Sequence, residues 1–168
     1  MIPVLPKPTP RLRFREMRAD DLDNVAALLG DPEVMRYYPT PKNREQAQAW
    51  IDWNLRNYAE HGFGLWAIET HDGEFVGDCG LTWQDISGAR EIEVGYHVRA
   101  VWQGKGLATE AAAACRDAAR EAGVQRLTAN VRSDNLPSQR VARKIGLAEW
   151  ARVEAHGHEV VIFGTELA

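Results

Sequence analysis

The chain has 168 residues, 45% hydrophobic and 26% charged, which supplies one packed domain with an ordinary polar surface and excludes two full ones. Its formal net charge of −4 lacks the basic surplus of a general nucleic-acid binder, so nucleic acid is not an expected partner. No run approaches the length of a membrane span, and residues 1–10 lack an apolar signal core, so a cytoplasmic location without membrane contact is expected.

Residues 1–10, with prolines at 3, 6, 8 and 10, read as an irregular leader, and residues 11–168 as a single domain. Residues 11–18 alternate loosely and predict a first strand with Leu12, Phe14 and Met17 on one face. Asp20 or Asp21 begins a helix carrying Leu22, Val25, Ala26, Leu28 and Leu29, which ends near Gly30. A second helix follows Thr40-Pro41, with Pro41 in its first turn, apolar residues at helical spacing from Ala47 to Tyr58, and a stop at Gly62. Three strands are expected at 63–70, 75–83 and 91–98. The turns between them, around Gly73 and Ser87-Gly88, are too short for anything but antiparallel neighbours.

A helix over 107–121 with Gly123 at its end leads to a strand at 125–131. Strand 91–98, this helix and strand 125–131 have the length of a βαβ crossover. A short helix over 135–144, stopped by Gly146, precedes two strands near 147–154 and 158–166 around Gly157. The fold class is mixed α+β around a central, mostly antiparallel sheet. Cys79 and Cys115 fall in a strand and a helix and read as small buried hydrophobes, too few for a disulfide framework.

The segment Trp102-Gln103-Gly104-Lys105-Gly106-Leu107-Ala108-Thr109 joins a glycine-rich turn to the start of an alanine-rich helix. The first N–H groups of a helix have no partner within it and carry the positive end of its dipole, so this turn suits an anion. Its spacing matches neither GxxxxGK[ST] nor GxGxxG. The plainer alternative is that two glycines only bend the chain between strand and helix, with Lys105 a solvated lysine.

On this turn the chain resembles the GCN5-related N-acetyltransferase (GNAT) superfamily, whose signature Gln/Arg-x-x-Gly-x-Gly/Ala is met by Gln103, Gly106 and Ala108. Four further segments agree in order: Leu12-Arg13-Phe14-Arg15, Asp31-Pro32-Glu33-Val34, Glu93-Val94-Gly95-Tyr96, and Asn135-x-x-Ser138 with Lys144-Ile145-Gly146-Leu147. More narrowly it is similar to the RimJ/RimL-like ribosomal-protein N-terminal acetyltransferases. The resemblance implies a GNAT-like fold whose strand 91–98 splays from its neighbour to form an acyl-CoA cleft. Acetyl-CoA is then the acetyl donor, with no metal. The backbone of His97, Val98 and Arg99 meets the pantetheine arm, and the N–H groups of residues 103–109 hold the pyrophosphate. Asn135 and Ser138 lie near the coenzyme, although both also suit helix capping.

Acetyl transfer to an amine requires loss of a proton from nitrogen, a polarised thioester and a stabilised thiolate. The resemblance implies direct attack in a ternary complex, and neither cysteine has the surroundings of a nucleophile. Glu93 is the candidate base, working through water, with Glu91 on the same strand face as runner-up. Either carboxylate is equally at home in a surface ion pair. The superfamily's usual tyrosine acid, four residues before the glycine matched by Gly146, is here Ala142, which leaves Ser138 or water to protonate the thiolate. Tyr37-Tyr38-Pro39, Trp50, Trp53 and Trp83 are candidate acceptor contacts, Trp83 foremost, with His158 a weaker one. The acceptor is a protein N-terminus or a small amine, and the chain is a monomer or homodimer. The competing reading is a catalytically weak acyl-CoA-binding or regulatory module.

Overall fold

The computed structural model describes residues 3–86 and 88–168; Ser87, read as part of a turn, lies outside them. Its elements are β1 (Arg13–Arg15), α1 (Leu22–Gly30), α2 (Arg44–His61), β2 (Leu65–Glu69), β3 (Phe75–Ile86), β4 (Ala89–Val98), α3 (Leu107–Glu121), β5 (Arg126–Arg132), α4 (Leu136–Lys144), β6 (Ala148–Ala155) and β7 (His158–Glu166). One sheet holds all the strands in the order β1-β2-β3-β4-β5-β7-β6. Only β4 and β5 run parallel, and α3 connects them, as a parallel pair requires.

Alternation along β3 shows why the helices take opposite faces. Asp78 accepts from the Trp50 indole of α2 at 3.1 Å, whereas the next residue, Cys79, meets Cys115 of α3 at 3.6 Å between sulfurs. Successive strand residues point to opposite faces, so α2 covers one side of the sheet and α3 the other. This explains why residues 75–82 are buried without alternation. Both thiols are free and fully buried, and burial pushes the Cys79 thiol well up from its ordinary value.

Several sequence expectations shift, the first being the strands read at 11–18 and 63–70, which shorten to Arg13–Arg15 and Leu65–Glu69. The strands read at 75–83 and 91–98 extend to Ile86 and back to Ala89, in a largely exposed hairpin where Arg90 lies 5.0 Å over the Trp83 ring. Pro41 lies outside α2 because a reciprocal cap starts the helix later. Asn43 Oδ1 accepts from Gln46 N, and Gln46 Oε1 accepts from Asn43 N, each at 2.8 Å. Asp21 is the N-cap of α1 by position, but its carboxylate takes Arg15 Nη2 at 2.7 Å, Arg15 Nη1 at 2.9 Å and Arg18 N at 2.8 Å. Burial raises the Asp21 carboxyl, yet these donors outweigh it and hold the group below its ordinary value. The leader is also anchored, since Val4 N donates to Gly62 O at 2.7 Å.

Candidate functional site

β4 and β5 pair only at Ile92↔Leu127 and Glu93↔Thr128. Beyond those residues they part, and a cleft of about 500 Å³ opens beside the far end of β4. All the residues expected at the coenzyme line it except Arg99 and Lys105. Arg99 turns away: its N–H donates to Val76 O at 2.9 Å and its guanidinium to Phe75 O at 3.1 Å. Lys105 contributes a carbonyl that accepts from Arg11 Nη1 at 2.7 Å. The Gln103 side chain braces the turn against the strand, with Nε2 donating to Val98 O at 2.9 Å.

The turn itself is built of orphan donors. Gly106 is the N-cap of α3 at φ 79° and offers no side-chain cap. The backbone bond from Glu110 N to Gly106 O begins the helical ladder, so the N–H groups of residues 107–109 have no helical acceptor. Trp102 lines the same cleft, and its indole N–H is buried without a partner. Free donors clustered at a helix N-terminus suit an anion with several acceptor oxygens. Arg36, Arg140 and Lys144 also line the cleft and were missed in the sequence. The signal for the latter two was their one-turn spacing on the α4 face that also carries Pro137.

A second device fixes the start of α3. Glu110 accepts from Thr9 Oγ1 at 2.6 Å, Arg11 N at 3.0 Å and Arg11 Nε at 2.7 Å. Burial raises the Glu110 carboxyl, but these donors hold it below its ordinary value. Its stabilising contribution is therefore present above the ordinary carboxylate range and is lost as pH falls through the lowered value. Glu110→Ala is expected to cost about 1–2 kcal/mol in urea unfolding at pH 7 and much less at pH 3, where an equal loss would contradict the linkage.

Glu93 occupies the last paired position before the strands part. Its Oε2 accepts from Asn130 N at 2.7 Å, closing the ladder where β4 no longer reaches β5. Burial pushes the Glu93 carboxyl up to about 7, opposed by the Asn130 N–H and the Asn130 side chain. Such a value suits a base at neutral pH. Glu91, by contrast, pairs with Arg126 at 3.2 Å and is spent. At the other wall, the Tyr96 hydroxyl shares a 2.7 Å hydrogen bond with Ser138 Oγ and donates to Ser138 O at 3.2 Å. Burial raises the Tyr96 phenol, with the Ser138 bond opposing, so it stays protonated at neutral pH. Asn135 is the cap of α4, accepting from Ser138 N at 3.2 Å, and also lines the cleft. Ala142 is buried in the core.

The aromatic expectations divide. Tyr37 and Tyr38 line the cleft. Trp50 and Trp53 pack 5.2 Å apart beside a shallow cavity with Lys42, Gln46 and Ala49. Trp83 does not meet the expectation: it is exposed on the β3–β4 hairpin under Arg90 and does not line the cleft. His158 does not either: with His156 it lies exposed at the β6–β7 turn. Among the described residues no cluster of His, Cys, Asp or Glu could hold a metal ion, and no helix is long and apolar enough to cross a membrane.

The acetyltransferase (GNAT) domain family matches residues 11–148. The chain is 39% identical to YkkB of Bacillus subtilis (strain 168) over 142 residues, covering 83% of each. An acetyltransferase of Agrobacterium tumefaciens superposes with a TM-score of 0.82 at 23% identity, covering 98% of this chain and 96% of that one. RimL, a ribosomal L7/L12 alpha-N-protein acetyltransferase solved with coenzyme A, superposes at 0.76 and 18% identity, covering 98% and 97%.

Proposed function

The chain belongs to the acetyltransferase (GNAT) family, and from that premise we propose that it transfers the acetyl group of acetyl-CoA directly to a primary amine in a ternary complex. The observation that carries this reading is the convergence, where β4 and β5 part, of an uncapped glycine turn, a carboxyl raised to about 7 and a hydroxyl pair. The N–H groups of residues 104–109 and the Trp102 indole hold the pyrophosphate, while the Gln103 N–H, expected among them, is taken by Ala100 O at 3.2 Å; Arg140 and Lys144 are available to the remaining phosphate. Val98 N presents the open strand edge to the pantetheine arm. Glu93 takes a proton from the amine nitrogen through water. Tyr96 and Ser138 deliver one to the departing thiolate in place of the tyrosine absent at Ala142. The thiol's own pKa, near 8–9, keeps that demand modest.

The acceptor is a protein N-terminal amine, as named for the RimL relative, or a small amine. The alternative is an acyl-CoA-binding module of little activity, and Ala142 in the core is what favours it. Acetyl-CoA consumption measured with peptide N-termini, polyamines and aminoglycosides decides between them. Turnover with any of these supports the enzyme, and coenzyme binding without turnover on all of them supports the module.

Removing the proton donors has a smaller effect than removing the base. Tyr96→Phe is expected to lower kcat about tenfold and Ser138→Ala severalfold, each with an unchanged dissociation constant for acetyl-CoA. Unchanged turnover and pH–rate profiles in both variants would remove this pair from the chemistry.

A further inference from the structure

The acceptor amine loses two protons from nitrogen on its way from ammonium to amide, and Glu93 accounts for one. Asp78 on β3 and His97 on β4 stand directly opposite each other in the register, on the sheet face covered by α2. Both are buried, Asp78 at 0% and His97 at 7% exposure. The Asp78 carboxylate is used at both oxygens: Oδ2 accepts from Trp50 Nε1 at 3.1 Å, and Oδ1 lies 2.8 Å from His97 Nδ1. An indole can only donate, so Oδ2 accepts, and with Asp78 as a carboxylate Oδ1 accepts as well, which places the imidazole proton on Nδ1. That leaves Nε2 with a bare lone pair. Nε2 is buried without any partner, while the residue lines the cleft. The Tyr38 ring lies 5.2 Å from the imidazole and the Trp50 ring 5.7 Å, which fixes its plane. A buried nitrogen with no partner carries a free-energy cost, and this one is aimed away from β3 by a carboxylate that holds the opposite edge of the ring.

We propose that His97, held in its Nδ1–H tautomer by Asp78, accepts the first proton of the incoming ammonium group. The inference rests on the acetyl-transfer reading. The ammonium N–H bond breaks and its proton passes to Nε2, giving an imidazolium paired with Asp78. The freed lone pair forms the N–C bond to the acetyl carbon as the C–S bond breaks. The second nitrogen proton leaves through Glu93, the thiolate takes one from Tyr96 and Ser138, that pair regains a proton from water as Glu93 gives its own back to water, and His97 returns its proton to solvent, so one proton is released per turnover. The groups around the imidazole that carry or can change charge are Asp78 from β3, Glu93 from its own strand and Tyr38 from the segment between α1 and α2. Trp50 of α2 is neutral, with Lys42 5.3 Å from its ring.

The test compares two acceptor amines of different pKa. In wild type, kcat/KM is expected to reach its plateau below the amine's own pKa for both. In His97→Gln it falls about 100-fold at pH 7 and its rise with pH follows each amine's pKa, because only amine already neutral is used. Asp78→Asn serves as the second variant. Its amide still accepts from Trp50 but donates to Nδ1, moving the imidazole proton to Nε2, and it is expected to lose a comparable factor with acetyl-CoA affinity retained. Unchanged kcat/KM and an unchanged pH profile in both variants would overturn the proposal. Nitrogen NMR of the imidazole decides independently of turnover. A proton on Nδ1 with Nε2 bare at pH 7–8 is expected, and a proton found on Nε2 overturns the role of His97. Failure of wild type to acetylate any amine would instead sink the acetyl-transfer reading, with the tautomer still measured.

Discussion

Glu93→Gln is expected to lower kcat roughly 100- to 1,000-fold and yet to raise the melting temperature at pH 8. Both effects follow from one carboxyl. Burial holds its proton to about pH 7, against an ordinary value of 4.5. The native state therefore binds this proton more tightly than the unfolded chain does. Its contribution to stability is complete below 4.5 and is lost as pH rises through about 7. At pH 8 the folded protein carries a desolvated charge that glutamine removes, for a gain on the order of 1–2 kcal/mol after allowing for solvent at a residue that is only partly buried, or a few degrees in Tm. Below pH 4.5 the gain disappears. Glutamine keeps an oxygen for the Asn130 N–H, so the junction of β4 and β5 survives and the loss of rate is chemical. In wild type kcat rises with pH through a midpoint near 7 and levels; in the variant that rise is absent. A pH-independent difference in Tm would deny the raised carboxyl, and a retained kcat would deny its role as base.

What the sequence revealed of this site depended on whether the residues were neighbours in the chain. The glycine turn is contiguous, and helix 107–121 has the bounds read for it because Gly106 and Gly123 punctuate both ends. The Asp78–His97 pair was invisible: 19 residues separate its members, and only the register of β3 on β4 makes them opposite. The clamp of Thr9 and Arg11 on Glu110 spans 101 and 99 residues, and nothing local announces it. Tyr96 was recorded as part of a motif but not as a hydrogen-bond partner of Ser138, which requires knowing how α4 crosses β4. Trp83 failed for a related reason. Its strand position was right, but that end of the hairpin is exposed and the cleft opens elsewhere along β4. Alternation gives the face a residue takes, not what lies across from it.

Gly106→Val is expected to weaken acetyl-CoA binding by at least tenfold, about 1.4 kcal/mol, and Gly123→Val is the matched control. The two glycines hold nearly the same backbone, φ 79° and φ 85°, in the left-handed region that a β-branched residue enters only at a cost of roughly 1–3 kcal/mol. Neither meets a steric obstacle: a Cβ at Gly106 finds Arg11 Nη2 at 3.5 Å, and one at Gly123 finds nothing within 4 Å. The folding penalty is therefore alike, and a similar fall in urea midpoint is expected for both. The difference lies in how each relieves the strain. At Gly123 the turn after α3 can move without touching the cleft. At Gly106 relief rotates the peptide planes that aim the N–H groups of residues 107–109, and those groups form the anion site. Calorimetric titration with acetyl-CoA separates the two. If both variants bind as wild type does, the glycine turn is only a bend between strand and helix. If Gly106→Val alone loses affinity at equal stability, the turn is the coenzyme's phosphate site.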